Sequence, residues 1–131
     1  MIVVDSSVWI DYFNGKDLPH TAKLANLLGQ KEIIVIDLVM VEVLRGISSE
    51  KDFKATLNVL DSFRFATTSN RAVAVQSAKN YRTLRLKGYT FRKTIDIIIA
   101  TKCILAGFEL LHNDRDFLPC AAHLGLRTIE Y

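Results

Sequence analysis

The chain has 131 residues, half of them hydrophobic, with 17 basic against 14 acidic residues and a net charge of +3. That length supports a single domain, 1–131, around one core, and the absence of a Pro-, Gly- or Ser-rich tract, repeat or low-complexity run argues against linkers and disorder. Cys103 and Cys120 are too few for a disulfide framework. No stretch resembles a secretory leader or a membrane span, so a reduced, cytoplasmic setting away from membranes is expected.

Residues 2–4 form a β-branched run, and Asp5-Ser6-Ser7 supplies turn and N-cap chemistry before the helical pattern VWIDYF. The pattern predicts a strand feeding a helix. Leu18-Pro19 opens a second helix through Leu28, with Gly29 as its exit, and IIVI at 33–36 reads as the next strand. Asp37 is expected to cap a helix over 38–45 ended by Gly46, and Ser49 with Asp52 to start another near 50–61. FRFAT at 63–67 suggests a short strand. Asn70 precedes a long helix to Leu86 that Gly88 stops, and Thr94 is expected to cap the very apolar helix 95–106 ended by Gly107. ELL at 109–111 and RTI at 127–129 complete the strands, the latter at an edge. Short apolar strands separated by helices predict an α/β sandwich with a mainly parallel sheet, whose sites form where strands deliver their C-terminal ends.

Asp5, Glu42, Asp96 and Asp114 each break an otherwise apolar run. Each also has a local structural reading: Asp5 as a turn or cap, Glu42 as a solvent-facing helical acid, Asp96 as a first-turn acid favoured by the helix dipole, Asp114 as the cap of a short helix. Read together they predict a carboxylate pocket at one sheet rim. Asp116, two residues beyond Asp114, is expected in an outer position, and Ser7 and Asn113 are candidates to orient ligands or water. One carboxylate pair 4 Å apart costs about 4 kcal/mol at an effective dielectric of 20, so bound protons or a cation must relieve such a cluster. Oxygen ligands with few histidines favour Mg²⁺ or Mn²⁺, a cation that activates water and admits a phosphodiester.

Lys79, Arg82, Arg85, Lys87, Arg92 and Lys93 cluster around the end of the long helix and the following turn, interleaved with Tyr81, Tyr89 and Phe91. Arg82, Arg85, Arg92 and Lys93 are expected to capture nucleic acid by phosphate attraction, with the aromatics stacking on unpaired bases. The alternative is an ordinary solvated helix whose aromatics dock into the core.

The chain closely resembles the PIN-domain family, especially VapC-type toxins of toxin–antitoxin modules, over nearly its whole length. VVDSSVWIDYF places that family's first acid at Asp5 and its hydroxyl at Ser7, VEVLRG the second acid at Glu42, and TIDIIIA the third at Asp96. HNDRDF places the fourth at Asp114, with Asp116 as auxiliary acid and Asn113 as a polar neighbour. Ser6 departs mildly from the Thr common in this opening. The resemblance implies a PIN-like three-layer sandwich with a five-stranded sheet, and a Mg²⁺- or Mn²⁺-dependent endoribonuclease with catalytic Asp5, Glu42, Asp96 and Asp114 and metal ligands Asp5, Asp96 and Asp114. It also implies a VapB-type antitoxin that inserts an Arg or Lys near the carboxylates, and a homodimer to which helices before position 62 contribute. An RNA-processing or DNA nuclease outside a toxin pair, a phosphoacceptor domain and a noncatalytic RNA- or partner-binding domain are the alternatives.

Overall fold

The computed structural model describes all residues, Met1–Tyr131. Strands β1 (Ile2–Val4) and β2 (Ile33–Ile36) are buried along their whole length, as continuous apolar runs are when a parallel sheet is covered on both faces. With β3 (Arg64–Ala66), β4 (Glu109–Leu111) and β5 (Arg127–Thr128) they form one sheet in the order β3-β2-β1-β4-β5, every pairing parallel. The register Val3↔Ile34 on one side and Val3↔Leu110 on the other puts β1 at the centre. The edges are wetter, with Arg64 and Phe65 exposed on β3 and Arg127 on the two-residue β5.

The helices are α1 (Ser6–Phe13), α2 (Pro19–Leu27), α3 (Asp37–Leu44), α4 (Glu50–Asp61), α5 (Arg71–Leu86), α6 (Thr94–Ala106) and α7 (Leu118–His123). The chain steps from β1 through β2 to β3 in one direction, then returns to β4 and β5 in the other. Right-handed crossovers therefore put α1–α4 on one face and α5–α7 on the opposite face. The packing agrees: α1 rests on α2 and α3, and α5 on α6 and α7. The reversal of strand order falls between β1 and β4, the location where parallel sheets open a crevice at their C-terminal rim.

Local chemistry sets most boundaries where the sequence puts them. Ser49 accepts from the Asp52 N–H at 3.1 Å and Asn70 from the Val73 N–H at 2.9 Å, each satisfying a donor the helix leaves free. Gly107 closes α6 at φ +73°, a left-handed conformation that favours glycine. Two caps differ. Asp37 is the first residue of α3, and its carboxylate accepts from the Leu38 N–H and, 31 residues on, from the Thr68 N–H, both at 2.9 Å, and from the Thr68 hydroxyl. It fastens the exit of β3 to α3. Thr94 likewise lies inside α6, with Lys93 at the N-cap position.

Two packing features hold the elements that carry acids. Trp9 on α1 is fully buried, stacked on Phe13 and packed on Phe63, both with ring centroids 5.5 Å away. Across the sheet, buried Asn80 on α5 donates to the Thr101 hydroxyl on α6 at 3.0 Å, and Thr101 donates to the Ile97 carbonyl at 2.7 Å. A satisfied polar link of this kind fixes the rotation of α6 against α5.

Candidate metal centre

Asp5 leaves β1 directly. Its backbone N–H donates to the Leu111 carbonyl of β4 at 2.9 Å, continuing the ladder by one residue and bringing Asp5 beside the end of β4. The carboxylate caps α1: Oδ2 accepts from Ser7 Oγ at 2.7 Å and from the Ser7 N–H at 3.3 Å. Capping thus uses one oxygen and leaves the other, Oδ1, buried without a hydrogen bond. Burial raises the Asp5 pKa above the ordinary carboxylate value, the Ser7 hydrogen bonds oppose that, and the Glu42 charge adds to it.

Glu42 reaches the site from α3. Its side chain is 4% exposed, with Oε1 accepting from the Ser6 hydroxyl at 3.3 Å and Oε2 facing Lys93 Nζ at 3.7 Å. The serine that departs from the family's common Thr therefore holds a site acid.

Asp96 stands in the first turn of α6 with its residue 2% exposed and Oδ2 buried and unpartnered. Its pKa is pushed up to about 7, first by burial and then by the Asp5 charge; Lys93 opposes the shift, and Asp114 and Glu42 add to it. Asp5, Glu42 and Asp114, from three other segments, thus all lie close enough to Asp96 for their charges to act on it.

Asp114 follows β4 by three residues and caps a 3-10 turn (Arg115–Phe117), its Oδ1 accepting from the Asp116 N–H at 2.9 Å. That turn swings Asp116 back, so that Asp96, Asp114 and Asp116 each offer an oxygen within 4.8 Å of the others. Asp116 therefore stands with the other two rather than outside them, while Asp5 approaches from the β1 side without joining this group of three. His112, which no sequence pattern singles out, is buried against Phe117 with ring centroids 5.0 Å apart, and its Nδ1 accepts from the Asp114 N–H at 3.2 Å. Burial lowers its pKa against the opposing Asp114 charge, and because Nδ1 accepts a hydrogen bond the neutral ring carries its proton on Nε2. Asn113 is exposed and turned toward Tyr131, whose hydroxyl lies 3.2 Å from Asn113 Oδ1 and 3.0 Å from the His112 carbonyl.

The four basic candidates separate. Arg92 lies across Asp114 and Asp116 at 3.8 and 3.5 Å, and Lys93 meets Glu42, whereas Arg82 and Arg85 stand on the exposed face of α5. Tyr81 and Phe91 pack against the core and each other, with ring centroids 6.2 Å apart, and only Tyr89 of the three aromatics is exposed.

Three buried carboxylate oxygens, Asp5 Oδ1, Asp96 Oδ2 and Asp116 Oδ2, have no hydrogen-bond donor; Arg92 Nε reaches Asp116 Oδ2 only as a loose ion pair. Buried oxygens left unpaired are costly, and three around one crevice fit an oxygen-ligated divalent cation. A family model described as PIN domain matches residues 2–121. This chain belongs to the PIN-domain family. The PIN domain is 26% identical over 134 residues to the VapC ribonuclease Mb1587 of Mycobacterium bovis, covering 100% of this chain and 99% of that protein. It is 28% identical over 129 residues to ribonuclease VapC1 of Methanocaldococcus jannaschii, covering 98% and 87%. The fold superposes with TM-score 0.76 on a chain of the crystal structure of VapBC2 from Rickettsia felis bound to a DNA fragment from their promoter, at 18% identity and with 100% and 99% of the two chains covered. Family membership and the acidic cluster together support metal-dependent nuclease function in this PIN domain.

Proposed function

We propose that this PIN domain is an endoribonuclease dependent on Mg²⁺ or Mn²⁺ and acts as the toxin of a toxin–antitoxin pair. The observation that carries the reading is the set of three buried carboxylate oxygens without a hydrogen bond near the sheet's switch point. Asp96, Asp114 and Asp116 would hold the cation, with Asp5 beside them and Glu42 completing the charge of the rim. When bound, such a cation lowers the pKa of water and offsets charge growing on a phosphate. The chain's own residues do the rest. Ser7 and Ser6 fix the Asp5 and Glu42 carboxylates, and His112 holds the Asp114 backbone. Arg82, Arg85, Arg92 and Lys93 supply positive charge toward the RNA backbone.

The toxin assignment is supported by similarity to proteins named as VapC ribonucleases over nearly the whole chain. A VapB-type antitoxin covering the acidic crevice with an Arg or Lys would offset the same charge that a metal does. A homodimer is supported by apolar side chains left exposed before position 62, among them Val41 and Val59. The test is cleavage of total cellular RNA by protein purified free of antitoxin, with and without Mg²⁺ or Mn²⁺, beside Asp96→Asn. Metal-dependent cuts at discrete sites, lost in the variant, are expected; cutting that ignores chelation and the substitution would refute the reading.

A further inference from the structure

We propose that Arg92 and Lys93 are resident counter-ions of the acidic site that change partners during the reaction. They balance the carboxylates while no divalent cation is bound and engage the RNA phosphate once one is. The inference rests on the metal-dependent reading above. Its geometry comes from the connection between α5 and α6. Tyr89 is held against His123, with ring centroids 5.3 Å apart and its hydroxyl 3.2 Å from Nε2, and Phe91 is held against Tyr81. With those aromatics docked, the next two residues carry their cations to opposite ends of the site, Arg92 to Asp114 and Asp116 and Lys93 to Glu42.

The contacts are built to be released. The three distances, 3.8, 3.5 and 3.7 Å, mark ion pairs without a hydrogen bond, and the two cationic side chains are 77% and 47% exposed. The cationic ends stay in solvent although their acids are 19% and 4% exposed, so each cation can leave its acid without first being rehydrated. They offset charge yet leave Asp5 Oδ1, Asp96 Oδ2 and Asp116 Oδ2 without a hydrogen bond, the last held only by its ion pair to Arg92, so a metal can take those oxygens without breaking a hydrogen bond. A divalent cation there repels the guanidinium and ammonium groups and weakens their hold on the carboxylates. A phosphate entering the crevice then offers both groups a new anion, and the planar fork of Arg92 suits two of its oxygens at once.

The device predicts effects of opposite sign at one residue. Removing the Arg92 charge should tighten metal binding, because a competitor leaves, and slow cleavage, because a phosphate ligand leaves. A merely structural role would weaken both. Mn²⁺ affinity is measured without RNA by calorimetry, and cleavage at saturating RNA and metal, for the wild type, Arg92→Gln and Arg92→Lys. Arg92→Gln is expected to bind Mn²⁺ about three- to tenfold more tightly and to lose about tenfold or more in kcat. Arg92→Lys keeps the charge and loses the fork, so its Mn²⁺ affinity should match the wild type while kcat still falls. Unchanged or weaker Mn²⁺ binding by Arg92→Gln, or a defect confined to KM, overturns the proposal. Wild-type protein that binds no Mn²⁺ would instead remove the metal-dependent reading itself.

Discussion

Asp96 concentrates the electrostatic problem of the site in one side chain. Its carboxyl is raised from 3.8 to about 7 in the folded protein, so between those values the native state holds a proton that the unfolded chain has released. Native stability of the metal-free protein must therefore fall as pH rises through that window, by an amount of order a few kcal/mol, and the loss is complete above it. The shift at Asp5 has the same sign. The expected outcome is a melting temperature that drops between about pH 5 and about pH 8 without metal, and recovers at the higher pH when Mg²⁺ or Mn²⁺ is added. In Asp96→Asn the drop should shrink and the metal response weaken, while the metal-free protein at the higher pH melts at or above the wild-type temperature. Thermal melts with and without chelator at the two pH values check all three. A variant that keeps the full pH slope would place the titrating proton elsewhere.

Elements position these acids through bonds that differ in how far they reach along the chain, and that reach decides what the sequence discloses. β1, β2 and α6 are legible because apolar runs and periodicity are local, and the Ser49 and Asn70 caps bond donors three residues away. Asp5 and Asp96 are legible as site candidates because charge inside a buried run is anomalous wherever it occurs. Asp37 reads in the sequence as a local cap, and its longer-range bond to Thr68 leaves no periodic trace. Asp116 joins the acid group against expectation, because a spacing of two residues does not disclose the 3-10 turn that brings its oxygen back. His112 acts on Asp114 through the Asp114 backbone N–H, and Tyr131 acts on His112 through its carbonyl, main-chain groups that do not distinguish one residue type from another. Tyr131→Phe tests that support: the ring keeps its edge contact with His20, with centroids 5.7 Å apart, but the hydroxyl that holds the His112–Asn113 segment is gone. Stability should fall by about 1 kcal/mol and metal affinity by about tenfold. Calorimetric titration with Mn²⁺ well below the melting temperature separates the two, and unchanged affinity would reduce Tyr131 to packing.

Across the whole molecule, the mild net charge conceals a strong partition. Five of the 14 acidic residues and two of the 17 basic ones stand at the site, leaving nine acids against 15 basic residues elsewhere. Under the proposed function, an RNA approaching this molecule meets an excess of positive charge outside the site, and a bound divalent cation offsets most of the negative excess within it. Arg82 and Arg85 belong to that outer field: both are exposed on α5, and neither pairs with an acid of the site. Their task under the proposed function is capture, which acts at a distance, rather than the bond-breaking step, which does not. Replacing both with Gln should weaken binding of a noncleavable RNA and reduce the dependence of log affinity on log salt by roughly 0.7 to 0.9 for each phosphate left without its cation. Saturating RNA should restore much of the cleavage rate, since a loss confined to ground-state binding is recovered by concentration. The same titration on Arg92→Gln distinguishes the two pairs, because its rate should stay low at saturation. If Arg82 and Arg85 can be neutralised with no change in affinity or salt slope, RNA enters by another face, and the positive charge of α5 serves only to keep that face hydrated.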